Sequence, residues 1–133
     1  MIPNSDVTIY NKYIESHVEK YQRAEVYDVV WQSTEARSGA GSGRLSSNVA
    51  TIFIPYSQAA DYVLPKAWQI ARTGKWTLQV GDVVVRNIVT DEITTAFTMS
   101  NLKATYDDVV TITSVDDMDQ GTPQVQHFQI GAK

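Results

Sequence analysis

The sequence has no cysteine and only two histidines, and both scarcities exclude kinds of chemistry. Without cysteine the chain can form no disulfide, carry no thiolate nucleophile and build no cysteine-ligated zinc site. His17 and His127 lie far apart in the sequence and in no spacing typical of metal ligands. The sequence therefore predicts no metal and no cofactor.

Long apolar runs are also missing. No run approaches the roughly 20 residues that a membrane-spanning helix needs. Residues 1–6 lack the basic and apolar regions of a signal peptide. We expect a soluble protein that makes no membrane contact and acts where it is synthesised.

Positive charge is scarce, because 11 Lys and Arg residues face 15 Asp and Glu residues, a formal net charge of −4. Proteins that bind nucleic acid carry a cluster of basic residues, and no such cluster is visible in this sequence. The 133 residues contain no repeat and no change of composition, so we expect one domain over residues 1–133.

What the chain does contain is short segments of alternating or β-branched apolar residues, which predict strands. The most prominent covers residues 76–89, where an alternating segment and a valine run flank a turn at Gly81-Asp82. We interpret it as a hairpin on which other strands pair. Further strands are expected at residues 7–10, 26–35, 49–54, 109–115 and 125–130.

The segment at residues 26–35 has apolar residues on both faces, which favours a central strand. Alternation places Tyr27, Val29 and Trp31 on one face of this strand. Six to seven short strands separated by turn signals predict a mainly β fold, a small barrel or sandwich.

One or two short helices are expected beside the strands. Pro65 can begin a helix over residues 65–72, and Thr98 or Ser100 can cap one over residues 98–106. The sequence of residues 11–24 fits two alternative structures. The spacing of Ile14, Val18 and Tyr21 fits a helix face, and a hairpin with its turn at residues 17–20 is the alternative.

Residues 36–48 are rich in glycine and serine, which predicts a flexible loop inserted between two strands. The loop lacks the lysine and the following helix of a phosphate-binding loop. Long loops in small domains are often functional, so this loop is the best candidate site from the residues alone. Its candidate interaction residues are Arg37, Gly39, Gly41, Gly43 and Arg44.

Other candidate sites have simpler explanations. Asp116, Asp117 and Asp119 precede Gly121 in the wrong spacing for a calcium loop, and a solvated acidic turn fits better. Carboxylate pairs at residues 91–92 and 107–108 lie beside strand ends without marking a general acid and base. The aromatic residues could stack on bases or sugars, but aromatic residues in strands more often belong to a core or an interface. No constellation predicts an enzyme.

Several segments, taken in order, resemble a family of small structural proteins from prophages and bacteriophages of Gram-positive bacteria. They are VTIYNKY and DVVW near the start, IPY and WTLQVGDVVV in the middle, and LKATYDDVVTITSVDDM and HFQIGAK near the end. The resemblance covers nearly the whole chain. These proteins are similar to head–tail joining proteins, also called head completion or stopper proteins.

The resemblance implies a short β-barrel with a long inserted loop, and it favours the hairpin at residues 11–24. It also implies a homo-oligomeric ring, six- or twelvefold, below the portal and adaptor and above the tail. The inserted loops, here residues 36–48, would point into the channel and make non-specific contact with packaged DNA. Such a protein assembles in the host cytoplasm, resides in the virion at the head–tail junction and has no catalytic residues.

The sequence thus leads to a virion structural protein as the first functional hypothesis. Another tail component, such as a tail terminator or a tube-associated protein, is the nearest alternative. A β-barrel module that binds carbohydrate or nucleic acid is the alternative from a different class.

Overall fold

The computed structural model describes residues 2–36, 47–122 and 125–133. In these residues six antiparallel strands form a closed barrel in the order β1-β2-β3-β6-β5-β4, which confirms the predicted mainly β fold. The strands are β1 (Ser5–Glu15), β2 (Val18–Ala36), β3 (Ser47–Pro55), β4 (Val83–Arg86), β5 (Val109–Met118) and β6 (His127–Ala132). Two short helices are α1 (Pro65–Ile70) and α2 (Met99–Thr105), and a single 3-10 turn covers Tyr56–Gln58.

Residues 11–24 form a hairpin and no helix. β1 and β2 pair from Ile9↔Ala24 to Glu15↔Val18, and the turn consists of Ser16 and His17 alone. Both turn residues have positive φ, 53° and 64°, the backbone of a tight hairpin turn whose twist matches the strands. The turn is therefore shorter than the four residues expected from the sequence.

The hairpin expected at residues 76–89 was wrong. Only Val83–Arg86 forms a strand, and it pairs with β1 and β5 on its two sides. The preceding segment makes a single isolated bridge, between Tyr62 and Trp76. Non-local partners on both sides of β4 leave no place for a local hairpin partner.

A bulge in β2 breaks the alternation expected at residues 26–35. Ser5 pairs with Val29 and Val7 with Val26, so β2 has one residue more than β1 between these pairs. Asp28 takes up the extra residue at φ 56°, and its amide donates to Asp6 Oδ1. Tyr27 is consequently exposed, whereas Val29 and Trp31 point into the core.

Apolar side chains fill two regions. The barrel interior is packed by inward residues of all six strands together with Trp76 and Leu78. A second cluster lies outside the barrel, where the outer faces of Tyr10, Val83 and Val85 pack against Val89 and Leu102. The segment that contains α2 therefore covers the β1–β4 face, and this face is not available to a partner.

Both helices begin where the sequence predicts. Pro65 occupies the first turn of α1, and Thr98 caps α2 through reciprocal bonds with Asn101. Strand polarity places α1, the β1–β2 turn, the β5–β6 turn and the end of β3 at one end of the barrel. We call it the hairpin end.

Candidate functional site

A buried polar cluster holds the β1–β2 hairpin to the barrel. Asn11, Thr77 and Asp82 are almost fully buried. Asn11 Nδ2 donates to Thr77 O at 2.7 Å and to Asp82 Oδ2 at 2.8 Å, and Asn11 Oδ1 accepts from the Thr77 amide at 3.1 Å. The Asn11 side chain thus fixes the segment before β4 against β1.

Polar side chains also cover the outer edge of β1 beyond its pairing with β4. The Lys12 amide donates to Asp82 Oδ1 at 3.0 Å. The Lys12 carbonyl accepts from Gln79 Nε2 at 3.2 Å and from Gln69 Nε2 at 3.3 Å. Side chains here replace the missing neighbouring strand, which protects the edge up to Lys12.

Burial raises the pKa of the Asp82 carboxyl above its usual range. Hydrogen bonds from Gln79, the Lys12 amide and Asn11 favour the ionised form and oppose this shift. The carboxyl group accepts three hydrogen bonds and has no cation directly against it within the described residues. Asp82 therefore acts as a structural hydrogen-bond acceptor at the base of the hairpin.

A surface cavity of about 330 Å³ opens over this cluster. Lys12, Gln69, Gln79 and Asp82 form its polar floor, and Ile14 and Val80 stand exposed at its rim. Ile14 and Val80 thus add exposed apolar area beside this polar depression.

An aromatic contact anchors α1 to the hairpin. The rings of Tyr13 and Trp68 meet edge to face at 6.0 Å, and the Arg72 guanidinium lies 4.2 Å from the centre of the Tyr13 ring. Trp68 Nε1 donates to the Lys75 carbonyl at 3.1 Å. The hairpin, α1 and the turn after it consequently form one connected surface.

Large apolar side chains are exposed mostly at the hairpin end. Seven of the nine that are exposed in the described residues lie there: Ile14, Val18, Leu64, Ile70, Val80, Met118 and Val125. The remaining two are Ile2 and Tyr27. Because apolar exposure is concentrated at one end, that end is the candidate interaction site.

The end of β5 gives this site an acidic side. Asp116, Asp117 and Asp119 are all exposed, and Asp117 accepts a hydrogen bond from the Tyr56 hydroxyl. The sequence placed a solvated acidic turn here, and the structure shows the first two aspartates within the strand itself. Asp116 and Asp117 are consecutive strand residues and therefore point to opposite sides of the sheet, and Asp119 follows the last residue of β5.

The predicted loop residues Arg37, Gly39, Gly41, Gly43 and Arg44 lie outside the described residues. The pairing of the two flanking strands corrects the predicted boundaries of the loop. Glu35 pairs with Asn48 and Ala36 with Ser47, so the strands extend into the stretch 36–48 that the sequence assigned to the loop. β2 ends and β3 begins at the end of the barrel opposite the hairpin end.

The other sequence candidates are spread over the barrel. His17 lies in the β1–β2 turn, and His127 begins β6 against the Phe53 ring. Asp91 accepts from the hydroxyl groups of Tyr10 and Tyr106 beside α2. The structure does not bring these groups together into one site.

All three tryptophans, Trp31, Trp68 and Trp76, are buried, which confirms the expectation that they belong to the core. They are consequently closed to a base or sugar ring. In the described part of the chain, no group of three or more His, Cys, Asp or Glu side chains could hold a metal ion. Neither described helix combines the length and apolarity needed to cross a membrane.

Sequence reasoning missed the polar cluster and the apolar hairpin tip. Asn11, Thr77 and Asp82 are separated by many residues, and nothing local marks them as partners. At the hairpin tip, the spacing of Ile14 and Val18 was misleading, because it suggested the buried face of a helix. Both side chains are exposed in the hairpin.

A family model spans residues 2–133, that is, nearly the entire chain. The chain belongs to the family of unknown function DUF6751. No curated protein and no solved structure matches the chain. The hairpin end thus has to be interpreted from its own chemistry.

Proposed function

We propose that this chain is a structural protein of a bacteriophage particle and forms a homo-oligomeric ring at the head–tail junction. Its contacts are with copies of itself, with the portal or adaptor above and with the tail below. The ring assembles in the bacterial cytoplasm and resides in the virion. The chain acts through its surfaces and performs no reaction.

One observation carries this proposal: the concentration of exposed apolar side chains at the hairpin end. An isolated domain gains nothing from exposing Ile14 and Val18 on either side of the β1–β2 turn, because each exposed apolar side chain loses the stabilisation that burial provides. A domain that is covered by neighbours in an assembly recovers that stabilisation.

The rest of the surface supports an assembly more than a ligand-binding module. The buried tryptophans offer no stacking platform, which disfavours the carbohydrate- or nucleic-acid-binding alternative. The sequence segments that resemble head–tail joining proteins support the proposed location in the particle. The net charge of −4 suits a channel wall along which DNA slides without being held.

The test is to silence the gene in an inducible prophage and to image the particles. We expect filled heads and free tails that do not join, and we expect the purified chain to restore joining in the extract. Mass spectrometry of purified wild-type virions should detect the chain. Normal infectious particles without it, or virions that lack it, would contradict the proposal.

The same images separate the nearest alternative. A tail terminator that is missing gives tails of uncontrolled length, whereas a missing junction protein leaves tail length unchanged. Heads joined to overlong tails would assign the chain to the tail.

A further inference from the structure

We propose that neighbouring copies of this chain join side by side through two oppositely charged faces at the hairpin end. The acidic face consists of Asp116, Asp117, Met118, Asp119 and Val125. The basic face consists of Leu64, Lys66, Ile70, Arg72 and Lys75. This inference rests on the proposed ring and names the surfaces that close it.

The acidic face combines like charge with apolar contact area. Residues 114–119 carry three aspartates and no basic residue. Met118 is 39% exposed and Val125 is 52% exposed. An exposed apolar pair surrounded by carboxylates favours a partner that is both apolar and positively charged.

The basic face has the matching composition. Residues 64–75 carry three basic residues and no acidic one. Lys75 Nζ lies 3.6 Å from Asp61 Oδ1 and Arg72 Nη2 lies 4.0 Å from Glu15 Oε2, so the three cations exceed the two carboxylates beside them by one charge. Leu64 is 68% exposed and Ile70 is 87% exposed, beside the exposed Lys66 and Lys75. Arg72 is held in place by the Tyr13 ring, so part of the positive charge is preorganised.

Barrel topology places the two faces on opposite sides. In the closed order β1-β2-β3-β6-β5-β4, the β1–β2 pair and the β6–β5 pair are three of six positions apart, which is half of the way around the barrel. The basic face contacts β1 and β2, since Gln69 donates to the Lys12 carbonyl and Gln22 donates to the Arg72 carbonyl. The acidic face belongs to β5 and β6.

Opposite faces at the same end give a head-to-tail contact that repeats from copy to copy. Such a heterologous contact forms a ring when its rotation closes. A contact between like faces would bring three aspartates against three aspartates, which electrostatic repulsion disfavours. The occupant of each face is therefore the other face of a second copy.

Cysteine cross-linking tests the pairing directly, because the native chain contains no cysteine. Met118→Cys and Ile70→Cys would be made singly and together and treated with a short bis-maleimide linker. We expect mixed dimers when the two single variants are combined, and a ladder of trimers and higher species from the double variant. Neither single variant alone should cross-link above background.

Ile2→Cys is the matched control, since Ile2 is as exposed as Ile70 and lies outside both faces. Its mixtures with each single variant report random collision. Mixed dimers no more abundant than this background would overturn the pairing. Strong homodimers of either single variant would overturn it as well, because they would show contact between like faces.

Charge exchange gives a second readout. Asp116→Lys with Asp119→Lys, or Lys66→Glu with Lys75→Glu, should weaken self-association by about tenfold in sedimentation velocity at low salt. All four substitutions in one chain should restore it, since each interface again joins opposite charges. Failure of the fourfold variant to recover would overturn the electrostatic pairing.

These outcomes are distinct from failure of the proposed function. Cross-linked ladders together with virions that lack the chain would leave the interface standing and remove the phage junction role. Virions that contain the chain, together with cross-links at background level, would leave the junction role standing and remove this interface.

Discussion

Asn11 and Asp82 lie 71 residues apart in the sequence, yet Asn11 Nδ2 donates a 2.8 Å hydrogen bond to Asp82 Oδ2 between two almost fully buried side chains. This bond joins the projecting hairpin to the segment that enters β4. Burial excludes competing water, so each donor depends on Asp82 for a partner. One carboxyl group is therefore the shared acceptor at the base of the hairpin.

Replacing Asp82 with alanine should destabilise the chain by about 3 kcal/mol, because the Lys12 amide, Asn11 and Gln79 lose an acceptor. Urea unfolding followed by circular dichroism measures the change. The control Asp116→Ala removes an exposed carboxylate and should change stability by less than about 0.5 kcal/mol. Equal effects of the two substitutions would contradict the assigned role.

Asp82 should also give stability a particular pH dependence. Its folded pKa lies above the ordinary value of about 3.9, so the folded state keeps this proton at pH values where the unfolded chain has lost it. The contribution of this group to stability therefore falls as pH rises from the unfolded pKa to the folded pKa.

Comparison with Asp82→Asn isolates this group from the other carboxylates. Unfolding free energies measured between about pH 3 and pH 7 should show the advantage of the native chain over Asp82→Asn largest at the acid end. An advantage that grows with pH would contradict the raised pKa.

The strands were largely predictable because their signal is local, whereas their partners were not. Val83, Val84 and Val85 mark β4 by composition alone. Trp76 and Leu78 alternate as in a strand and are buried, but Thr77 between them is buried too, held by Asn11. Apolar residues alternate in the same way in a half-buried strand and in a segment that is buried on both sides. The sequence therefore could not distinguish the two structures at residues 76–78.

Residues at the hairpin show why periodicity failed at residues 11–24. Ile14 and Val18 match a helical spacing, but they lie in β1 and β2 on either side of the β1–β2 turn, 68% and 55% exposed. Exposed apolar residues on either side of a turn thus have the same spacing as residues on a buried helix face. The bulge at Asp28 was likewise not predictable, because nothing in the sequence marks the extra residue, with its positive φ, that interrupts the alternation.

The hairpin tip should matter for assembly and not for folding. Ile14→Lys with Val18→Lys places two charges on exposed positions opposite Glu19 and Glu15, so urea unfolding of the purified chain should change by less than about 0.5 kcal/mol. Joining of heads and tails in the complementation extract should be lost. Ile2→Lys, a change at a still more exposed position away from the tip, should join normally. Full activity of the tip variant would contradict the site.

Tyr10 should control stability at alkaline pH. Burial raises the pKa of Tyr10 to about 12, so the unfolded chain releases this proton first as pH rises above about 10. Stability should therefore fall between about pH 10 and pH 12. Tyr10→Phe should lose about 1 kcal/mol at neutral pH with the bond to the Asp91 carbonyl, and should show a shallower alkaline decline. Identical alkaline slopes in the two chains would refute this role.

The β1–β2 turn should tolerate glycine better than its native residue. His17 has φ 64°, a left-handed conformation that costs a side-chain-bearing residue about 1 kcal/mol, and glycine adopts it freely. His17→Gly should therefore raise the free energy of unfolding by roughly this amount, as measured by urea titration. Glu19→Gly is the matched control two residues later, where the strand backbone gains nothing from glycine and stability should fall. A loss of stability in both variants would show that the His17 side chain contributes more than its backbone strain removes.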